Sequence, residues 1–316
     1  MEDNATAVAA ERVSKRFDNV VAVSHLDLCV KSGALFGILG PNGAGKTTTL
    51  RMILRMLLPD EGALRVFGQP LTDSVQNTIG YLPEERGLYP RMKVLDVLVF
   101  LGSLKGLREG EARLGAQKWL ERLEIGEWAG RKVIDLSKGM QQKVQFIGAV
   151  LHQPRLLILD EPFAGLDPVN TAVIKDIMIG MRDQGATILL SSHRMEQVEM
   201  MCEDICLINE GKKLLDGNLK EIKKQYGKNT LRLQYSGDGG FLEQPSLVEK
   251  VNRFGAVTEV KLRPGADAQE ILRTAVQQRV RLDRFELVEP PLNDIFIEKV
   301  SRSRAEGLHT NNINKG

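Results

Sequence analysis

Eight residues, Gly40-Pro-Asn-Gly-Ala-Gly-Lys46-Thr47, constrain this chain more than any other stretch. They follow an apolar run, Ala34-Leu-Phe-Gly-Ile-Leu39, and precede residues 46–58, whose spacing predicts a helix. A buried strand that ends in glycines and turns straight into a helix leaves backbone N–H groups without partners in the chain. The positive end of the helix dipole lies at the same place, so the natural occupant is an anion. In that context GxxxxGK[ST] predicts a cradle for nucleotide phosphates. Its candidate residues are Gly40, Pro41, Asn42, Gly43, Ala44, Gly45, Lys46, Thr47 and Thr48. Lys46 is expected on the β- and γ-phosphates, and the Thr47 hydroxyl on Mg²⁺.

Two more apolar runs, Leu156-Leu-Ile-Leu159 and Thr187-Ile-Leu-Leu190, lack alternation. Such runs suit strands buried on both faces, as in a parallel sheet covered by helices. A helical pattern over 168–183 lies between them. The first run ends in Asp160-Glu161-Pro162 and the second in Ser191-Ser-His193. Parallel strands deliver such side chains to the carboxyl edge, where α/β sheets bind ligands. Asp160 is a candidate Mg²⁺ ligand. Glu161 is a candidate to orient and polarise an attacking water, provided the chain turns at the strand end, because neighbouring strand residues face opposite ways. His193 is placed to reach a terminal phosphate.

Of 316 residues, 43 are basic and 41 acidic, so no overall charge argues for nucleic acid as a partner. No apolar run approaches the roughly 18 residues of a membrane helix. The acidic N-terminus lacks the apolar core of an export signal. Three cysteines, Cys29, Cys202 and Cys206, are too few for a disulfide framework. Cys202 and Cys206 stand one helical turn apart by number, but their apolar neighbours favour buried thiols over a metal pair.

The chain divides by pattern. Residues 1–225 read as an α/β domain with a helical subdomain near 88–152, and 226–302 read as a small α+β domain. Within the latter the spacing predicts strands near 230–235, 256–263 and 281–288 and helices near 245–254, 267–278 and 291–302. Arg281, Asp283 and Arg284 are expected on a solvated strand face. The polar segment 303–316 is expected to be disordered.

Leu136-Ser137-Lys138-Gly139-Met140-Gln141-Gln142 reads first as a serine cap opening an amphipathic helix. It also resembles the signature LSGGQ of ATP-binding cassette (ABC) ATPases, with Lys138 and Met140 as departures and Ser137 and Gly139 retained. With the cradle and the acid pair in the same order, the chain resembles an ABC transporter ATPase subunit over roughly residues 8–220. The likeness is greatest to bacterial export-type subunits similar to sodium or antibiotic exporters, including an ending like Pro291-Leu-Asn-Asp-Ile-Phe296.

The resemblance implies a P-loop NTPase fold of the ABC type, with a helical subdomain and a small C-terminal α+β domain. It implies ATP and Mg²⁺ as cofactors, Phe17 stacked on adenine, and Ala164-Gly-Leu-Asp167 as a loop at a dimer interface. It makes His193 a switch histidine. Glu84, in Gly80-Tyr-Leu-Pro-Glu84-Glu85, occupies a position that is glutamine in most of the family. There it would contact the nucleotide and Mg²⁺ while adding negative charge. The implied machine is a head-to-tail dimer, with Ser137 and Gly139 of one copy closing on the phosphates held by the other. It works on a separate membrane permease and so sits on the cytoplasmic face of the membrane. The alternatives are a soluble ABC ATPase of translation or DNA repair, disfavoured by the single cassette and balanced charge, and a non-hydrolysing regulator, disfavoured by Glu161 and His193.

Overall fold

A computed structural model describes residues 6–85, 87–227 and 229–301. The predicted disordered tail, 303–316, lies outside these residues. The chain divides into two compact units between Gly217 and Asn218, ahead of the boundary expected after residue 225.

The first unit runs β1 (Thr6–Phe17), β2 (Val20–Lys31), β3 (Leu35–Leu39), α1 (Lys46–Ile53), β4 (Glu61–Val66), β5 (Gln69–Pro70), α2 (Asp73–Gln76) and β6 (Ile79–Leu82). Then follow α3 (Val94–Leu104), α4 (Glu109–Arg122), α5 (Lys138–Val150), β7 (Leu156–Asp160), α6 (Pro168–Asp183), β8 (Thr187–Ser192), α7 (Met195–Glu199), β9 (Asp204–Asn209) and β10 (Lys212–Asn218).

Six strands form one sheet in the order β10-β9-β3-β8-β7-β6, with β3, β6, β7, β8 and β9 joined by parallel pairings. Every residue of β3, β7 and β8 is buried, as their unbroken apolar runs require. A second sheet, β2-β1-β4-β5, was not anticipated from sequence. Its signal is the alternation in β2, where Leu26, Leu28 and Val30 are buried and His25, Asp27 and Cys29 are exposed. Those inward residues share one core with Phe36 and Ile38 of β3, Leu50 and Ile53 of α1, and Ile158 of β7. The two sheets and α1 are therefore a single packed body.

Helix α1 stops at Ile53, short of the expected end near 58, because Arg55 takes a left-handed conformation that ends the helix. Helices α3 to α5 make up the predicted helical stretch. Helix α5 lies hard against β6: a Cβ at Gly80 would sit 2.1 Å from the Ala149 carbonyl oxygen. Cys206 lies on β9 and not on a helix with Cys202. Both thiols are buried, and burial pushes that of Cys206 up to about 12 and that of Cys202 up as well, so they serve as apolar packing.

The second unit comprises α8 (Leu219–Tyr226), β11 (Thr230–Ser236), β12 (Val248–Phe254), β13 (Val257–Leu262), α9 (Ala268–Gln277), β14 (Arg281–Val288) and a helix over 292–301. Its sheet has the order β12-β13-β11-β14. Leu231, Leu233, Val260, Leu262, Phe241 and Ile271 form its core. The helix expected near 245–254 is instead strand β12. Phe254 pairs with Val257 across Gly255-Ala256, and Gly255 has φ +58, as the first position of a two-residue hairpin loop demands. Cross-strand pairing to β13 thus overrides a helical spacing in a short segment. Arg281, Asp283 and Arg284 are exposed on β14, as expected.

Candidate functional site

The site is assembled at the carboxyl edge of the parallel sheet. Strand β3 ends at Leu39, and Gly40–Gly45 wrap back to open α1 at Lys46. Gly45 caps the helix with φ +105, and a Cβ there would lie 2.4 Å from the Ala22 carbonyl oxygen. Any other residue at 45 would both strain the backbone and collide with β2.

Lys46 is 6% exposed. Its Nζ donates to the carbonyl oxygens of Gly40 at 2.8 Å and Pro41 at 3.1 Å, and lies 3.9 Å from Glu161 Oε1. Burial pulls this ammonium below its ordinary pKa, while Glu161, Asp160 and Glu84 oppose the shift.

Strand β7 delivers the two acids. Asp160 is 1% exposed and pairs in register with Ser191 of β8. The Ser191 hydroxyl donates to Asp160 Oδ1. Asp160 Oδ2 is buried and has no hydrogen-bond partner among the described residues. A buried, half-satisfied carboxylate is costly, and the missing partner has the chemistry of a cation or its bound water.

Glu161 departs from the strand with φ +49, a left-handed conformation that few non-glycine residues adopt. Its N–H donates to the Ser191 carbonyl at 3.2 Å, which anchors the turn. The turn cancels the strand's alternation and brings Glu161 to the same pocket as Asp160. There Oε1 accepts from the backbone N–H and ring Nδ1 of His193, both at 2.8 Å, and Oε2 accepts from the Ser192 hydroxyl at 3.3 Å.

A pocket of about 490 Å³ is lined by Asn42 through Thr48, Glu84, Asp160 and Glu161. Val20, Val21, Ala22 and Glu210 also line it and were missed in the sequence. They come from β2 and from the turn after β9, which approaches the loop through the hydrogen bond from Gly211 N to the Ala44 carbonyl, 2.9 Å. No local pattern marks residues brought in by such a contact.

Several predicted residues lie off the pocket wall. Gly40 and Pro41 contribute carbonyls to Lys46. His193 is hydrogen-bonded to Glu161. Phe17 ends β1, 43% exposed, with Lys15 Nζ 5.8 Å from its ring. Ser137 caps α5, its Oγ accepting from Met140 N at 3.3 Å, and Gly139 follows in the first turn. Helix α5 is tied to the acid strand through Gln142 Nε2, which donates to the Pro162 carbonyl at 3.3 Å.

A parallel sheet, a glycine-rich loop opening a helix after β3 and two acids at the end of β7, with β8 between the two strands, define a P-loop nucleotide-binding domain. Comparison with known proteins makes this specific. Residues 23–164 match the family described as ABC transporter, and residues 217–300 match the ATP-binding protein DrrA1-3-like C-terminal domain. The chain is 47% identical over 290 residues to YhaQ of Bacillus subtilis (strain 168), an uncharacterized ABC transporter ATP-binding protein. That alignment covers 92% of this chain and 97% of YhaQ. It is 31% identical to the linearmycin resistance ATP-binding protein LnrL of the same organism, over 93% of this chain and 98% of LnrL. A solved ATP-binding subunit of an ABC transporter is 29% identical and superposes with a TM-score of 0.66, covering 70% of this chain and 94% of that one. The chain belongs to the ABC transporter ATP-binding proteins, the family of ATPases that hydrolyse ATP to power transport.

Proposed function

We propose that this chain is the motor subunit of an export-type transporter, working on the cytoplasmic face of a membrane as a head-to-tail homodimer bound to a separate permease. The observation that carries the reading is the convergence of Lys46, Asp160 and Glu161 on one pocket. The resistance function in the name of its relative LnrL supports export. Among the described residues no helix is long and apolar enough to cross a membrane, which fits a permease supplied by another polypeptide.

In this reading the loop N–H groups and Lys46 hold the triphosphate, and Phe17 offers its exposed ring to the base. Thr47, Asp160 and Glu84 would hold Mg²⁺ together with phosphate oxygens. The orphaned Oδ2 of Asp160 fits that assignment. Bound there, the cation would neutralise charge developing on the phosphates. Glu161 orients and polarises the attacking water, with His193 and Ser192 fixing its carboxylate. The hydroxyl of Ser137 accepts from its own helix and so keeps its proton to donate. With Gly139 and the N–H groups of α5, it would close on the phosphates of a partner copy. Loss of the terminal phosphate removes the charge that holds the two copies together, and the dimer opens.

The route outward runs through the loop after β6. Gln145 Nε2 donates to the Glu85 carbonyl at 3.0 Å. Beside it lies a mostly apolar cleft of about 430 Å³, lined in part by Leu54, Pro83, Leu101, Leu104 and Gln145. We place the permease contact in this cleft, one residue from Glu84. The test is steady-state phosphate release by the purified chain, together with membrane sedimentation with and without a co-expressed permease. Absence of both release and permease-dependent sedimentation would overturn the reading.

A further inference from the structure

We infer that Glu84 biases the pocket toward ATP in its divalent-cation complex and weakens binding of the metal-free nucleotide. The inference rests on the reading of this pocket as the ATP site.

The argument is one of charge. Among the described residues, three carboxylates beside the glycine loop, Glu84, Asp160 and Glu161, line the pocket against one cationic side chain, Lys46. That cation is already engaged: it donates to the carbonyls of Gly40 and Pro41 and faces Glu161 at 3.9 Å. The side chains therefore carry net negative charge before any phosphate arrives. The N–H groups at the start of α1 supply only about half an elementary charge in compensation. A triphosphate without a cation meets repulsion here, whereas one bridged to the carboxylates by a divalent cation meets attraction.

Glu84 is the adjustable member of the set. Asp160 and Glu161 are buried and hydrogen-bonded in place, by Ser191 and by His193 with Ser192 respectively. Glu84 stands on the loop following β6 at an exposed position. Its field nevertheless reaches Lys46, where it acts in the same sense as Glu161 and Asp160. A neutral amide of the same shape at 84 would leave the geometry alone and remove one negative charge. The carboxylate thus costs affinity for bare ATP and contributes affinity when the cation is present.

The experiment is an equilibrium titration of the full chain with a ribose-labelled fluorescent ATP, in excess Mg²⁺ and in EDTA. It compares wild type with Glu84→Gln and Glu84→Lys. Because the position is exposed and screened, the expected gain in metal-free affinity is about three- to tenfold for Glu84→Gln and larger for Glu84→Lys. Affinity in Mg²⁺ stays level or falls, so the Mg²⁺ preference shrinks stepwise with charge. The gain also diminishes as salt rises from about 0.1 to 1 M, where the screening length falls to about 3 Å. Metal-free affinity in Glu84→Gln equal to or weaker than wild type would overturn the inference while leaving the ATP site intact. A wild type that binds in neither buffer, or a Lys46→Ala variant that binds as wild type does in both, would remove the ATP site itself and the inference with it.

Discussion

Glu161 Oε1 accepts two hydrogen bonds from one residue, from the backbone N–H and the ring Nδ1 of His193, each 2.8 Å long. The backbone bond holds the carboxylate whatever residue stands at 193. The ring bond requires that Nδ1 carry a proton, which leaves Nε2 as the nitrogen available to a ligand. The pair joins the ends of β7 and β8 into one unit, and it ties the orientation of the carboxylate to that of the imidazole.

Replacing Glu161 by Gln preserves the shape of this arrangement and removes its charge. Turnover is expected to fall by about 10²–10⁴-fold, the usual contribution of a positioned general base. Nucleotide affinity is expected to persist. His193→Ala removes the ring bond and spares the backbone one, so its loss of turnover is expected to be smaller. Phosphate release and fluorescent-nucleotide titration on the same preparations check both; wild-type turnover in Glu161→Gln would strip Glu161 of its role.

Ser137→Arg puts a long cation at the cap of α5, away from the pocket that holds Lys46. ATP binding by the single chain is expected to be unchanged. Hydrolysis, which in our reading needs Ser137 of a second copy, is expected to be lost. Full hydrolytic activity in this variant would exclude the head-to-tail arrangement.

Ser191→Ala deletes the side-chain donor that Asp160 Oδ1 has among the described residues. A buried carboxylate stripped of its partner costs about 1–3 kcal/mol or more. A lower urea midpoint with unchanged slope is the expected result. An unchanged midpoint would mean that water satisfies Asp160 without Ser191.

His152 is held down to about 4 by burial first, and by the nearby Lys105 ammonium second, against a hydrogen bond with the Ile79 carbonyl. The unfolded chain takes up a proton near the ordinary value of 6.5 and the folded chain does not. This contribution to stability is therefore complete above about pH 6.5 and is lost progressively as pH falls toward about 4. His152→Gln keeps a donor for Ile79 and removes the titration. Urea midpoints from pH 7 to 4.5 are expected to fall less steeply for the variant than for wild type. Parallel curves would show that His152 does not contribute to the acid sensitivity.

Much of the pocket was legible because its parts are local. The cradle spans consecutive residues, and each acid follows directly on an apolar run, so strand ends and ligand groups appear together in the chain. The antiparallel sheet β2-β1-β4-β5 was harder to see, since its strands are interrupted by bulges that blur the period of two. Strand β12 was misread as a helix because seven residues with apolar positions at 248 and 251 fit either spacing. Only the partner strand distinguishes the two.

From the order of residues alone came the glycine loop that opens α1, the parallel strands and the acids at the end of β7, because each is encoded by chemistry within a few positions. Three things waited for the folded chain. One is the left-handed turn at Glu161, set by the Ser191 carbonyl on the next strand. Another is the oxygen of Asp160 that has no partner among the described residues, which exists only once its surroundings are known. The last is the gathering of Val20, Val21, Ala22 and Glu210 around the pocket. Each depends on contacts between segments far apart in the chain, where burial and hydrogen-bond partners are decided by packing and not by neighbours in sequence.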